Sequence, residues 1–372
     1  MADTSIIPPR EEKRGDGTAY TKGTEPINPH LPPPAYIKAA HKALQHSTSS
    51  PISTWTLSSS PFSVHSTIPA STLSAAFTTF SPSTVLTTSL KDVPVYTPVS
   101  HPGLFILPSL LPPEIQLSLL NSLLITHLSS TDTNRTNLHL HYSLPPPPFS
   151  LLTAPDNHHL QPIDPSVHKP LMAHRARERK LRWMTLGGQY DWTNKRYPRA
   201  GETNHGEPTD LTEAEKAAAP LFPPDLSALI STLWPDIIPQ AAIVNVYSPG
   251  DTLAPHRDVA ESSNAGLVSI SIGCDGVFMI ARPEQSGEIK KDGEHEGAQG
   301  KEDGILSLRL HSGDVVVMSA EMRRAWHSVP KIIAGTCPEE IGEWPGEEGG
   351  GIARGWVKGK RVNFNVRQMW DS

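Results

Sequence analysis

Cysteine is scarce in this chain, which has only Cys274 and Cys337 among its 372 residues. Two cysteines are too few for a disulfide framework and are typical of a protein from a reducing compartment. Long apolar runs are missing too, and no stretch approaches the roughly 20 residues that a membrane-spanning helix needs. Positive charge is not in excess, because the net charge is −6. The chain is therefore not a polycation that coats nucleic acid, and any anion-binding surface must be local.

The N-terminal sequence Met-Ala-Asp-Thr-Ser has an early acidic residue and no apolar segment behind it. We therefore expect neither a signal peptide nor a transit peptide. An intracellular, monomeric protein without a membrane partner is expected. The nucleus and cytoplasm are the favoured compartments, and the mitochondrion is the alternative.

Composition divides the chain into four parts. Charge, proline and glycine dominate the start, serine and threonine the next part, and helical patterns precede a series of short strands. The predicted parts are a disordered tail (1–35), an irregular Ser/Thr-rich extension wrapped on the domain (36–94), a helical and nucleotide-recognition part (95–240), and a strand-rich core (241–372) with insertions at 284–304 and 337–355. Apolar spacing and turn residues predict helices at 36–44, 115–127, 211–219 and 223–233 and strands at 266–273, 276–280, 305–310 and 315–319. Many short strands preceded by helices predict an α+β fold with a jelly-roll core and N-terminal helices packed on its sheet.

A His-x-Asp sequence follows the strand predicted at 242–247. The segment Ser248-Pro-Gly250 ends that strand, and His256 and Asp258 come shortly after it. Residues two apart on an extended segment project to the same side, so the imidazole and the carboxylate can converge on one point. Together with a distant second histidine they would form the facial triad of a non-haem Fe(II) site. On its own the pair is more often an ordinary polar pair on a loop.

A second histidine and two arginines stand near the end of the chain. His327 lies in an apolar context, where a lone histidine is usually a core side chain. The final strand alternates, so that Arg361, Asn363, Asn365 and Arg367 share one face. Two guanidiniums that face inward must be matched by buried carboxylates or by an anionic ligand, and a dicarboxylate would suffice.

A locally basic run precedes a segment in which aromatic residues alternate with cations. The run contains Arg175, Arg177, Arg179 and Lys180, and the aromatic residues include Trp183, Tyr190 and Trp192. A surface that stacks bases and neutralises phosphates needs this combination. The other interpretation is a solvated helix face followed by core aromatics.

The ordered combination of these motifs resembles the AlkB family of Fe(II)/2-oxoglutarate dioxygenases, and most of all its eukaryotic AlkB homologue 1 branch. The resemblance spans roughly residues 95 to 370. The matching features are Asn245-x-Tyr247, His256-x-Asp258, the strand 268–273, the segment 311–319, His327, Arg361-x-Asn363-x-x-x-Arg367, Leu181-Arg-Trp183 with Tyr190-Asp-Trp192, and Val366-Arg-Gln368. The long N-terminal extension and the two acidic, Gly-rich insertions depart from the family pattern.

The resemblance implies a role for each matching residue. His256, Asp258 and His327 would hold the iron. Arg361 would grip the far carboxylate of 2-oxoglutarate, with Asn245, Tyr247 and Asn363 helping, and Arg367 would lie nearer the metal. The basic and aromatic pattern itself, rather than the resemblance, predicts that Trp183, Tyr190 and the four cations Arg175, Arg177, Arg179 and Lys180 bind substrate.

The family resemblance also implies the reaction. With Fe(II), 2-oxoglutarate and O2, an N-methyl group on a base in DNA or RNA is hydroxylated and lost as formaldehyde, while succinate and CO2 are released. A base inside a duplex cannot reach such a pocket, so a single-stranded or flipped-out substrate is expected. The alternative is a 2-oxoglutarate oxygenase that acts on a protein such as a histone. A jelly-roll binding module without catalysis is a third possibility, against which the intact triad and both arginines argue.

Overall fold

The computed structural model describes residues 27–53, 61–130, 134–146, 149–192, 195–197, 221–283, 304–346 and 352–371. The helix predicted at 211–219 and nearly all of the insertion at 284–304 lie outside these ranges. The described helices are α1 Ala35–His46, α2 Ala70–Phe80, α3 Pro113–Leu120, α4 Ala173–Arg175, α5 Pro224–Leu233 and α6 Glu339–Gly342. None of the helices in these ranges has the length and apolar character needed to cross a membrane.

Sixteen strands are described. In chain order they are β1 Ile52–Ser53, β2 Phe62–Ile68, β3 Val93–Pro98, β4 Leu104–Leu107, β5 Asn134–Thr136, β6 His159–Leu160, β7 Leu171–Met172, β8 Trp183–Gly187, β9 Ala241–Tyr247, β10 Leu253–His256, β11 Leu267–Gly273, β12 Gly276–Ala281, β13 Ile305–Leu310, β14 Val315–Met318, β15 His327–Ile332 and β16 Arg361–Arg367.

Two large sheets organise these strands. The nine-stranded sheet has the order β2-β3-β4-β14-β11-β16-β9-β8-β5, and the five-stranded sheet has the order β1-β13-β12-β15-β10. Every pairing within them is antiparallel except that of β1 with β13. The fold is therefore a mixture of helices with two large, mainly antiparallel sheets.

The two faces of the nine-stranded sheet have different surroundings. Val362, Phe364 and Val366 of β16 point into the main apolar core, which they share with buried residues of α2, α3 and α5. The alternate residues of β16, including Arg361 and Arg367, lie on the opposite face. Alternation along one strand thus separates the core from a polar surface.

The opposite face of that sheet packs against the five-stranded sheet at one end. Ile106 and Met318 of the larger sheet share an apolar cluster with Phe278, Ile280 and Leu308 of the smaller one. This apolar contact holds the two sheets together. The polar residues of β16 lie beyond it, where the space between the sheets can hold a ligand.

The N-terminal part is more regular than expected from its composition. Residues predicted as an irregular extension contain β2, α2 and β3, and Leu73, Ala76, Phe77 and Phe80 of α2 are buried. These four positions have helical spacing, and the helix packs against α5. The many serine and threonine residues conceal this pattern, because they lower the mean hydropathy without interrupting the apolar face.

Two further expectations need correction. Residues 27–34 were predicted as part of a disordered tail, but they precede α1 and several of them line a cavity that opens at the His-x-Asp segment. The segment 337–355, predicted as a low-complexity insertion, includes α6 and the buried residues Ile341 and Trp344. The Trp344 indole N–H donates to Asn121 Oδ1 over 2.7 Å. Trp344 therefore anchors this segment to the helical side of the protein.

Candidate metal and dicarboxylate site

Strand register brings the two histidines together. In the antiparallel pair β10–β15, His256 lies opposite His327, and their ring centroids are 4.3 Å apart. Asp258 follows two residues after His256. One ligand atom from each of the three residues lies within 4.8 Å of the others. This is the one such group of potential metal ligands in the part of the chain that the structure describes.

Backbone carbonyls set the orientation of both imidazoles. His256 Nδ1 lies 2.9 Å from the carbonyl oxygen of Ala254, and His327 Nδ1 lies 3.0 Å from that of Ala325. If each Nδ1 carries the proton and donates it, each Nε2 is left with a free lone pair. The Nε2 atoms lie 3.8 and 3.9 Å from the Asp258 carboxylate oxygens. These separations are too long for hydrogen bonds and suit three ligands of one ion.

The electrostatics favour an ionised Asp258 and a neutral His327. Burial alone would raise the pKa of Asp258, but the Arg367 guanidinium and the two histidines lower it below its ordinary value. Burial and the neighbouring His256 lower the pKa of His327 to about 4. Metal binding requires a carboxylate and neutral imidazoles. Near neutral pH, Asp258 and His327 are already in the protonation states that a metal ion needs.

A buried ion network holds Asp258. Arg367 lies 3.4 Å from the Asp258 carboxylate and 3.0 Å from that of Glu261. Arg323 contacts the other oxygen of Glu261 at 3.2 Å and donates to the Asp258 carbonyl over 3.0 Å. Glu261 and Arg323 were not predicted from the sequence. Each reads as an ordinary surface charge there, and only the fold brings them to the site.

Arg361 is a buried guanidinium with two donor atoms that no described protein group uses. It is 1% exposed, and its Nη2 donates to Ser271 Oγ over 2.9 Å. Among the described residues, its Nε and Nη1 have no hydrogen-bond partner. The guanidinium carbon lies 5.7 Å from the centre of the Tyr247 ring, and the Tyr247 hydroxyl is also buried, with no partner in the part of the chain that the structure describes. Burial raises the pKa of Tyr247 to about 12, so the phenol keeps its proton. Two unused N–H donors beside an O–H donor fit one end of a dicarboxylate such as 2-oxoglutarate.

The other residues predicted to help hold the dicarboxylate lie on the same sheet face as Arg361. Asn245 of β9 lies opposite Asn363 of β16, and Tyr247 lies opposite Arg361. Asn363 donates to Ser269 Oγ and to the carbonyl of Ile270. Arg361, Asn363 and Arg367 thus form a polar row along β16. Arg361 lies at one end of the row, and Arg367 lies at the other end, next to Asp258.

A cavity of about 450 Å³ opens at the triad. Its wall includes His256, Asp258, Arg367, Tyr190 and Trp192, together with the segment 28–33. Lys195 Nζ donates to the carbonyl of Pro29 over 3.1 Å and helps to hold that segment in place. The size fits a flat heterocycle, and aromatic rings are available to stack on it.

The two aromatic residues predicted to bind substrate lie in different places. Tyr190 lines the cavity, and its ring meets Trp192 edge-on at 4.8 Å. Trp183 lies behind Trp192, with ring centroids 5.1 Å apart, and is not among the lining residues. Trp192 is 50% exposed. It was not among the residues predicted to bind substrate. It lies in the cavity wall, however, and is better placed than Trp183 to stack on a base.

Arg177 was predicted to bind phosphate, and the structure contradicts that prediction. It is 1% exposed, donates to the Ala154 carbonyl over 3.0 Å and pairs with Asp156. A guanidinium enclosed in this way cannot neutralise a phosphate. Arg175, Arg179 and Lys180 are exposed, but none of them lines the cavity. Arg179 instead borders a separate polar depression, which it shares with Arg182 and Lys360.

A family model and individual relatives place this chain in the same protein family. The model of the 2OG-Fe(II) oxygenase superfamily matches residues 103–367. The N6-methyladenosine RNA demethylase ALKB1 of Pyricularia oryzae is 43% identical over 325 residues, which are 83% of this chain and 85% of that protein. The N6-methyladenosine RNA demethylase ALKBH of Cryphonectria parasitica is 46% identical over 244 residues, 63% of this chain and all of the relative.

A third relative extends the range of named substrates. The tRNA demethylase abh1 of Schizosaccharomyces pombe is 36% identical over 277 residues, which are 72% of this chain and 79% of that protein. The extent of the family match and the identity to these relatives agree with the site geometry. The chain therefore belongs to the 2OG-Fe(II) oxygenase superfamily and, within it, to the ALKBH1 branch of the AlkB family.

Proposed function

We propose that this protein is an Fe(II)/2-oxoglutarate-dependent dioxygenase that oxidatively demethylates N-methylated bases in nucleic acid. The observation that carries the proposal is the presence of three features in and beside one cavity, on the sheet face that carries Arg361 and Arg367. These are the His256–Asp258–His327 cluster, the buried Arg361 with unused donors, and an aromatic wall formed by Tyr190 and Trp192. The three relatives compared are named as demethylases of RNA or tRNA, which supports a base as the substrate.

The cofactors of this proposal are Fe(II), 2-oxoglutarate and O2. Iron bound by His256, Asp258 and His327 would supply the oxidising chemistry, which couples decarboxylation of 2-oxoglutarate to hydroxylation of the N-methyl group. Arg361, Tyr247, Asn245 and Asn363 would hold the dicarboxylate, with the guanidinium gripping the carboxylate farther from the metal. The hydroxylated methyl group would leave as formaldehyde, and succinate and CO2 would be the other products.

The chain's own residues prepare the site for this chemistry. Arg367 and Arg323 surround the Asp258–Glu261 pair with positive charge, so Asp258 stays ionised in a partly buried position. The carbonyls of Ala254 and Ala325 keep the two imidazoles turned toward one point. Tyr190 and Trp192 form an apolar wall that orients a planar base and reduces contact with water.

Several broader features belong to the same proposal. The two facing sheets would be the double-stranded β-helix of the superfamily, with the N-terminal helices packed on them. A base stacked inside a duplex cannot enter a cavity in the protein, so the substrate would be single-stranded or flipped out. We further propose a monomer in the nucleus and cytoplasm, with the mitochondrion as the alternative compartment.

The test is nucleoside mass spectrometry after incubation of the protein with Fe(II), ascorbate, 2-oxoglutarate and methylated oligonucleotides. DNA, messenger RNA and transfer RNA carrying methyladenine or methylcytosine are compared in parallel. The matched control is Asp258→Ala, which should lose turnover because an alanine cannot bind metal. Loss of a methyl group with stoichiometric formaldehyde and succinate is the expected result. Demethylation of a histone peptide with no action on any oligonucleotide would overturn the proposal in favour of a protein substrate.

A further inference from the structure

Arg257, between the metal-site residues His256 and Asp258, has no role in the site as described so far. It lines the same cavity, and its guanidinium carbon lies 4.6 Å above the centre of the Trp326 ring. Within the described residues its guanidinium makes no hydrogen bond and no ion pair. It is partly buried, and burial lowers its pKa without removing the charge of an arginine. A full positive charge therefore faces the cavity without a counterion from this part of the chain.

The acidic residues of the cavity wall are already paired. Asp258 and Glu261 are the two carboxylates among the described lining residues. Asp258 lies against Arg367, and Glu261 lies between Arg367 and Arg323. Neither carboxylate forms an ion pair with Arg257. An external anion is therefore the group that would neutralise this charge.

Trp326 provides a fixed platform for the guanidinium. Its ring packs against a cluster formed by α1 and β12, which includes Ile37 and Met279, and its carbonyl accepts a hydrogen bond from the Ala281 amide. A guanidinium within about 6 Å of a tryptophan centre is attracted to the ring face. Stacking holds the plane of the guanidinium, so less conformational entropy is lost when its N–H groups bind an anion.

We propose that Arg257, stacked on Trp326, binds a backbone phosphate of the nucleic acid whose base enters the cavity. The proposal rests on the nucleic-acid substrate proposed above and adds its phosphate contact. Arginine forms two parallel hydrogen bonds with a phosphate, and phosphate contacts fix the register of a nucleic acid on a protein. The structure supports this placement, because Arg257 lines the same cavity as His256 and Asp258. A phosphate held there would be adjacent to the nucleotide whose base reaches the metal.

The first experiment is a salt titration of single-stranded oligonucleotide binding to the full chain loaded with Mn²⁺ and 2-oxoglutarate. Arg257→Met removes the charge but keeps an apolar stem on Trp326, and Arg257→Lys keeps the charge without the planar fork. Arg324→Met is the matched control, because Arg324 is a partly exposed cation outside the cavity, bonded to Asn264. Mn²⁺ affinity of each variant shows whether the site is intact.

Arg257→Met should bind about tenfold more weakly, which corresponds to a loss of about 1.4 kcal/mol. Its plot of log affinity against log salt should be flatter by about 0.7, the value for one phosphate contact on a single strand. Arg257→Lys should recover the slope and only part of the affinity. Arg324→Met should match the wild type.

A second measurement works from the substrate side. Methylphosphonate substituted at one position at a time removes single backbone charges. With the wild type, one position beside the target base should weaken binding about tenfold, and Arg257→Met should be insensitive at that position. If Arg257→Met keeps the wild-type slope and the same methylphosphonate sensitivity, Arg257 only covers Trp326 and the inference is wrong. If the wild type binds no oligonucleotide, the proposed function itself fails and this inference fails with it.

Discussion

Gly276, at the start of β12, lies directly against the Arg361 side chain. A Cβ atom added there would lie 2.6 Å from Arg361 Nε, 2.9 Å from its Cδ and 3.1 Å from its Cζ. The first two distances are shorter than non-bonded carbon contacts allow. Arg361 is buried and its Nη2 is held by Ser271, so it cannot move out into solvent. In Gly276→Ala, the guanidinium must therefore shift within the wall of the dicarboxylate site.

The size of the effect follows from the bonds that this shift disturbs. A hydrogen bond to a charged group contributes about 1.5–3 kcal/mol, and about 1.4 kcal/mol corresponds to tenfold in affinity. Loss of one of the two guanidinium contacts should raise the dissociation constant of 2-oxoglutarate about 10- to 100-fold. The metal should be unaffected. Gly276 is four residues from Ile280, the partner of His327, or about 13 Å along the strand.

The assay is calorimetric titration of 2-oxoglutarate into Mn²⁺-loaded protein, with Mn²⁺ affinity measured separately. Gly342→Ala is the matched control, because a Cβ there meets no atom of the described residues within 4 Å and the backbone is not left-handed. A folded Gly276→Ala variant with wild-type 2-oxoglutarate affinity would falsify the assignment of Arg361 as the dicarboxylate anchor. Equal loss of Mn²⁺ and 2-oxoglutarate affinity would point instead to a general disturbance of the fold.

Two other substitutions test the cavity and the network around it. Trp192→Ala should weaken single-strand binding by about 1–3 kcal/mol, the usual contribution of one stacked base, whereas Trp183→Ala should cost less because Trp183 does not line the cavity. A filter-binding comparison of the two variants decides this, and a larger loss from Trp183→Ala would contradict it. Glu261→Gln should lower the free energy of unfolding by about 3–5 kcal/mol, because it removes one partner from a buried ion network. Urea denaturation measures the loss, with the exposed Glu343→Gln as a control that should show no change.

Local patterns in the sequence predicted much of the site. Helices α1, α3 and α5 and strands β11 to β14 were all expected near their observed positions, since apolar spacing and turn residues are local signals. The two-residue spacing of His256 and Asp258 and the alternation of Arg361 with Arg367 likewise depend on backbone geometry alone. In both cases neighbouring residues carry the information.

Other features were missed because they depend on contacts between distant segments. Arg177 and Arg179 stand two apart in one basic run, yet the first is buried against Ala154 and the second is exposed. A charge run does not indicate which member turns inward. Glu261 and Arg323 are 62 residues apart in the numbering and meet beside the metal ligands. Gly276 reads as the start of a strand, and only the position of Arg361 gives it a function.

The sequence by itself determined which chemistry is available: an imidazole and a carboxylate at i and i+2, a second histidine, and two arginines on one strand face. Tertiary structure alone decided which groups meet. The register of β10 against β15 places His256 opposite His327, and the fold leaves Arg361 buried with two unused donors. It also carries residues 28–33 and Trp192 to the cavity wall. Side-chain periodicity is a property of the local backbone, whereas the burial and pairing of a charge depend on every segment packed around it.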